Sequence, residues 1–217
     1  MQRFLVKIVA VGAVGIVVAA SFMLVSSTFA AGTKSGFIVK PFTFVGTVAN
    51  CGSVGTDNVQ AAWQPHQGLP DAGGSDHALY LQKLGPTTDC SSAGATIDGV
   101  AGITLTEIGW DVRDDGHCGA GAPRFNVTTS DNITHFIGCS SPPPTTSVAA
   151  PGSPDANGKT WTRKHYDPAT AFPPIGAGST VKSISIVFDE GTDQGQGFVY
   201  LDNIDINGTL IGKPGNA

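Results

Sequence analysis

Residues 181–212 read VKSISIVFDEGTDQGQGFVYLDNIDINGTLIG. Apolar and polar residues alternate over Val181–Phe188, the turn-rich segment DEGTDQGQG follows, and alternation resumes over Phe198–Ile206. This pattern predicts two β-strands joined as a hairpin. The second strand carries Leu201-Asp202-Asn203-Ile204, which sets a carboxylate in an apolar context. Such an Asp needs a partner, because an unpaired buried carboxylate is costly.

Outward from this stretch the chain repeats the same material. Strand patterns are expected within residues 36–49, around Trp63 in 60–64, over 77–84, once or twice in 97–113, and over 124–128, 134–137 and 160–167. A slip of the apolar positions between Leu105 and Ile108 predicts a β-bulge. Residues 140–157, with SPPPTTSVAAPGSP, read as a surface loop. Lys, Glu and Arg are scarce, and no amphipathic helical stretch follows the N-terminal segment. Eight to ten short strands with Gly/Pro turns and no internal repeat predict an all-β fold: one antiparallel β-sandwich domain of jelly-roll type.

Residues 1–30 read as a secretory signal peptide. Arg3 and Lys7 supply the basic start, residues 8–25 are apolar and uncharged, and Thr28-Phe29-Ala30 fits a cleavage site. The alternative is an uncleaved anchor, since the apolar run approaches spanning length. The β-sandwich domain is then residues 31–217. The 10 remaining basic residues face 17 acidic ones, a net charge of −7. This balance argues against nucleic acid and against anionic membrane surfaces. It suits an extracellular protein, secreted or held at the cell surface, or one that holds a cation.

Cys51, Cys90, Cys118 and Cys139 all lie after the signal, so two disulfides are expected. Of three possible pairings, Cys51–Cys90 with Cys118–Cys139 is favoured because each bridge closes one long connection. No CxxC spacing suggests a zinc site.

Three separated stretches carry a family likeness: Gly73-Gly74-Ser75-Asp76-His77-Ala78-Leu79 entering an early strand, Gly158-Lys159-Thr160-Trp161-Thr162-Arg163, and the ending Tyr200-Leu201-Asp202-Asn203-Ile204. Together they resemble a jelly-roll carbohydrate-binding module of the galactose-binding-like β-sandwich kind. The resemblance implies noncatalytic recognition of a polysaccharide or glycan. It also implies a structural calcium ion beside the early strand, with Asp202 as the carboxylate ligand and Asp76 as a second. The alternative is an Asp202 bonded to backbone N–H groups of a turn.

The densest polar cluster is Asp111, Arg113, Asp114, Asp115 and His117. If Trp110 and Val112 face the core, Asp111 and Arg113 point the other way. Arg124 and Asn126 alternate in the same manner with Phe125 and Val127. On adjacent strands, these four would form one face of donors and acceptors suited to sugar hydroxyls; the plainer reading is a solvated face with surface ion pairs. Trp110 and Trp161 read as core. Trp63, near a loop, is the preferred stacking platform for a sugar ring, with Tyr80 and Tyr166 next.

Catalysis has thinner support. Glu107 and Glu190 are the only glutamates, and neither sits in a sandwich-glycosidase strand motif. A polysaccharide lyase would draw on His165, Tyr166, Arg163, Arg124 or His135. No GxSxG or HExxH element occurs. Asn126, Asn132 and Asn207 begin N-glycosylation sequons. The reading is therefore a secreted carbohydrate-binding protein. Its alternatives are an extracellular structural or adhesive sandwich and a polysaccharide-active enzyme, lyase or hydrolase.

Overall fold

Alternating apolar and polar positions fold into strands from Ile38 to Ile211. The computed structural model describes residues 36–71 and 74–214; the expected signal segment lies outside them, as does Gly73. Twelve strands occur among the described residues: β1 (Ile38–Val45), β2 (Val59–Gln64), β3 (Ala78–Lys83), β4 (Ser91–Asp98), β5 (Ile108–Arg113), β6 (Arg124–Thr129), β7 (Thr134–Gly138), β8 (Thr146–Ala149), β9 (Trp161–Tyr166), β10 (Val181–Phe188), β11 (Phe198–Ile206) and β12 (Thr209–Ile211). A single helical turn, α1 (Val48–Cys51), precedes β2. None of the described helices is long and apolar enough to cross a membrane.

The strands form two antiparallel sheets. The first runs β1-β4-β10-β6-β7. The second runs β2-β3-β11-β5-β9-β8, with β12 added beside β11. Their inner faces enclose one apolar core that includes Leu79, Leu81, Trp110, Phe125, Ile186, Phe188, Leu201 and Ile206. Trp110 of β5 stacks on Phe125 of β6 across this core, ring centroids 4.1 Å apart. The chain is an antiparallel β-sandwich, as its composition predicts.

Both disulfides form with the favoured pairing, Cys51–Cys90 and Cys118–Cys139. They close connections of 39 and 21 residues. In the chain-entropy account each is worth about 3–4 kcal/mol.

Four expectations are corrected. The strands of the opening stretch have the expected bounds, yet β10 lies in the first sheet and β11 in the second. They are no hairpin. The nine-residue segment between them is long enough to cross the ~10 Å between packed sheets. Within residues 97–113, Gly99 and Gly102 take positive φ (86° and 85°) and break the strand. Only the ends of that stretch are strand, in β4 and β5. Register slips occur elsewhere: in β11, where pairing with β5 shifts between Asp202 and Asp205, and in β10, where pairing with β6 shifts between Val181 and Ser183. Finally, the Pro-rich 140–157 segment contributes β8, an edge strand on β9 whose four residues are all exposed.

Candidate functional site

The outer face of the second sheet gathers the polar and aromatic side chains that the core excludes. Register lines them up in rows. Gln60, Gln82 and Phe198 face one another across β2, β3 and β11; Ala62, Tyr80 and Tyr200 form the next row. Further along, Asp202, Asp111 and Arg163 align across β11, β5 and β9, and then Asp205, Gly109 and His165. Loops cover the middle of the face, where Leu69, Ala78, Ala150 and Trp161 form a second small apolar cluster against Tyr200.

At one end lies an aromatic shelf. The rings of Tyr80 and Tyr200 are 4.8 Å apart, and Phe198 lies 6.3 and 6.1 Å from them. The Arg113 guanidinium sits 3.5 Å above the Tyr200 ring, a cation–π stack. Arg113 is held there by Asp115 (Nε to Oδ1, 2.7 Å) and by Gln67. The Tyr200 hydroxyl donates to Gln64 Oε1 at 2.9 Å. Phe198, Tyr200 and Gln82 are half-buried and Gln60 is exposed, so one flank of the shelf reaches solvent.

Beside it lies an oxygen cluster built by the bulge in β11. Asn203 adopts φ 43°, the left-handed conformation that asparagine tolerates better than most residues. This turns its side chain to the outer face next to Asp202, where its amide donates to Asp111 Oδ2 at 2.9 Å. Ile204 and Ile206 return to the core. With its NH2 engaged, Asn203 presents Oδ1 to the space beside Gly212. A Cβ at Gly212 would lie 2.9 Å from Asp202 Oδ1, 3.1 Å from Asp71 Oδ1 and 3.2 Å from Asn203 Oδ1. Three oxygens from three side chains thus converge on a point that only glycine leaves open.

Asp202 is fully buried. It accepts the N–H groups of Leu69 (2.7 Å) and Asn203 (2.6 Å), yet burial, with Asp71 and Asp111 nearby, pushes its carboxyl up to about 8. Burial also raises Asp71, whose other oxygen accepts the N–H of His77. An all-oxygen donor set of this kind suits a hard cation such as calcium, which takes 6–8 oxygens. The three side-chain oxygens would supply part of such a shell. Asp71, and not Asp76, has a side-chain oxygen in this cluster. Asp76 instead braces the loop: its Oδ1 accepts the Asp71 N–H, and its backbone carbonyl accepts those of Gln67 and Gly68.

Comparison with known protein families, with curated proteins and with solved structures finds no match for this chain. The geometry alone therefore carries the functional argument.

That geometry rearranges most of the sequence-derived site. The face expected from Asp111, Arg113, Arg124 and Asn126 is not formed. β5 and β6 belong to different sheets and meet through the core, so their outward residues point to opposite sides of the sandwich. Asp111 is buried and paired with Arg163, and Arg124 is paired with Asp189 by two bonds of 2.5 and 2.7 Å. Asn126 accepts from Arg124 Nε at 3.0 Å.

Trp63 is not an exposed stacking platform. It lies in β2, packs against the core, and donates from Nε1 to the Val39 carbonyl at 3.1 Å. Tyr166 is core as well. Its hydroxyl donates to the Cys139 carbonyl at 2.8 Å, and burial pushes its phenol far up. Trp110 is in the core between the sheets, as expected; Trp161 is equally buried, but in the small cluster under the loops of the outer face. His135 is buried, with Nδ1 2.6 Å from the Pro173 carbonyl and Nε2 3.0 Å from Thr129 Oγ1. Glu190 is held by His117 and by the Gly121 N–H. His165 remains on the outer face, 3.3 Å from Asp205.

Of the shelf, the sequence singled out Tyr80 and Arg113 but not Phe198 or Tyr200. Alternation with core residues Val199 and Leu201 was the available signal, since it sends Phe198, Tyr200 and Asp202 to one side.

Proposed function

We propose that this is a secreted, noncatalytic carbohydrate-binding protein of jelly-roll type, with its ligand on the outer face of the second sheet and a structural calcium beside it. The observation that carries the reading is the shelf of Tyr80, Phe198 and Tyr200 beside Arg113 and the glutamines. Aromatic faces stack on the apolar side of a sugar ring, while amides and a guanidinium address its hydroxyls. Calcium bound by Asp71, Asp202 and Asn203 would neutralise converging carboxylates and fix the loop that carries Leu69 against the sheet. Two disulfides fit an oxidising, extracellular compartment.

Affinity electrophoresis of the oxidised chain through a panel of soluble polysaccharides, with calcium present, tests this. Retardation by one polymer is expected, with loss on Tyr200→Ala. Retardation by none would give precedence to the structural or adhesive reading. One observation favours that rival: β8 is a fully exposed edge strand, and an open edge invites pairing with another chain. Sedimentation would then show self-association.

A further inference from the structure

The opposite end of the same outer face holds three side chains that the carbohydrate reading does not use. Glu107 enters β5, His165 lies on β9 and Asp205 on β11. Each offers one ligand atom, and the three atoms lie within 4.8 Å of one another. We propose that Glu107, His165 and Asp205 form a binding site for a zinc-class divalent cation, separate from the oxygen cluster at Asp202 and independent of sugar recognition.

The scaffold is made for this approach. His165 and Asp205 stand on the two strands flanking β5, and the residue between them is Gly109. A Cβ on Gly109 would fall 2.6 Å from His165 Cδ2. Its absence lets the imidazole lie across β5, with Nε2 3.3 Å from Asp205 Oδ2. The Glu107 backbone is fixed to the β11–β12 turn: its carbonyl accepts the Asn207 N–H at 3.2 Å, and the Thr106 N–H donates to Asn207 Oδ1 at 2.7 Å. Asp205 is 2 % exposed, and its Oδ1 accepts the Gly208 N–H at 2.7 Å.

That leaves Asp205 Oδ2 turned toward His165 at a distance beyond the ~2.7–2.9 Å of a charge-assisted hydrogen bond. The nearest guanidinium, Arg163, is engaged with Asp111. A spacing of 3.3 Å is instead close to the edge of a tetrahedron with zinc–ligand bonds of about 2.0–2.2 Å. Glu107 Oε2 lies on the side of the other ring nitrogen, 3.9 Å from His165 Nδ1, and its half-exposed side chain has to swing toward Nε2 to join Asp205 on the ion. One imidazole and two carboxylates are borderline ligands that suit zinc and its first-row neighbours better than calcium. Three protein ligands leave a fourth position open to water or to a ligand.

The test is titration of the full chain, disulfides formed and without a histidine tag, with Co2+ as a visible probe. The expected result is one equivalent of Co2+ with ligand-field absorption, displaced by Zn2+ and not by Ca2+. His165→Gln should abolish it, and Glu107→Gln should weaken binding about tenfold or more. Near-UV circular dichroism shows whether each variant keeps its fold; Glu107, being partly exposed, gives a variant that does not depend on the core. No ligand-field band with the unaltered chain would overturn the proposal. So would a band that survives both substitutions in folded protein.

Discussion

Arg163 clamps the buried Asp111 carboxylate by two hydrogen bonds, Nε to Oδ1 and Nη2 to Oδ2, each 2.7 Å long. Asp111 in turn accepts the Asn203 amide, which aims Asn203 Oδ1 at the space beside Gly212. One ion pair on two central strands thus orients an oxygen of the proposed calcium site. Arg163→Met would leave Asp111 buried and unpaired. The expected loss is about 3–5 kcal/mol in urea unfolding. Adding Asp111→Asn should recover part of it, because the two residues interact directly. A pair of additive losses would show that the clamp carries no coupling.

Gly212 marks the centre of the oxygen cluster without contributing a ligand. Gly212→Ala would put a methyl group about where the Asp71, Asp202 and Asn203 oxygens converge. The expected outcome is a folded protein whose melting temperature no longer rises with calcium, whereas that of the unaltered chain does. An undiminished calcium response in Gly212→Ala would place the ion elsewhere.

The raised carboxyl of Asp202 gives a pH signature. Its folded value of about 8 lies above the ordinary 3.8 because burial disfavours the charged form. The folded state therefore binds the proton more tightly than the unfolded chain. In chelator, the stability that this group contributes is fully present below about pH 4 and is lost as pH rises through about pH 8. Calcium should remove that decline by neutralising the carboxylate. The check is the difference in urea midpoint between unaltered chain and Asp202→Asn, followed from acid to mildly alkaline pH. A pH-independent difference in chelator would refute it.

The two bridges should act separately. Replacing Cys118 and Cys139, or Cys51 and Cys90, by serine is expected to cost about 3–4 kcal/mol per pair, given closed connections of 21 and 39 residues. Chemical denaturation of each double-serine variant measures this. The longer loop should give the slightly larger loss.

Several parts of this structure were legible in the chain. Alternation over Val181–Phe188 and Phe198–Ile206 matches strands of those bounds, the all-β sandwich follows from composition, and of three possible disulfide pairings the favoured one forms. The buried Asp202 was visible as a carboxylate in an apolar strand. What failed were neighbour relations. Alternation says that a strand has an inner face, but it does not say which sheet supplies that face. Alternation alone is equally compatible with β10 and β11 as a pair and with Arg113 and Arg124 as neighbours, and neither is found. The short strand around Trp63 is legible, but the direction of its indole is not: in the fold it turns inward toward Val39.

By itself the sequence determined the all-β class, most of the strands, the number of disulfides and a negative charge, because periodicity, cysteine count and composition are read without knowing which strands meet. Only the tertiary structure decided that Asp71 meets Asp202 and Asn203, that Tyr80 meets Tyr200, and that His165 crosses Gly109 to reach Asp205. Those meetings depend on strand order, on one bulge at Asn203 and on the missing side chains of Gly109 and Gly212. Each of these shifts a side chain by a few ångströms between residues far apart in the chain, and no local pattern records it.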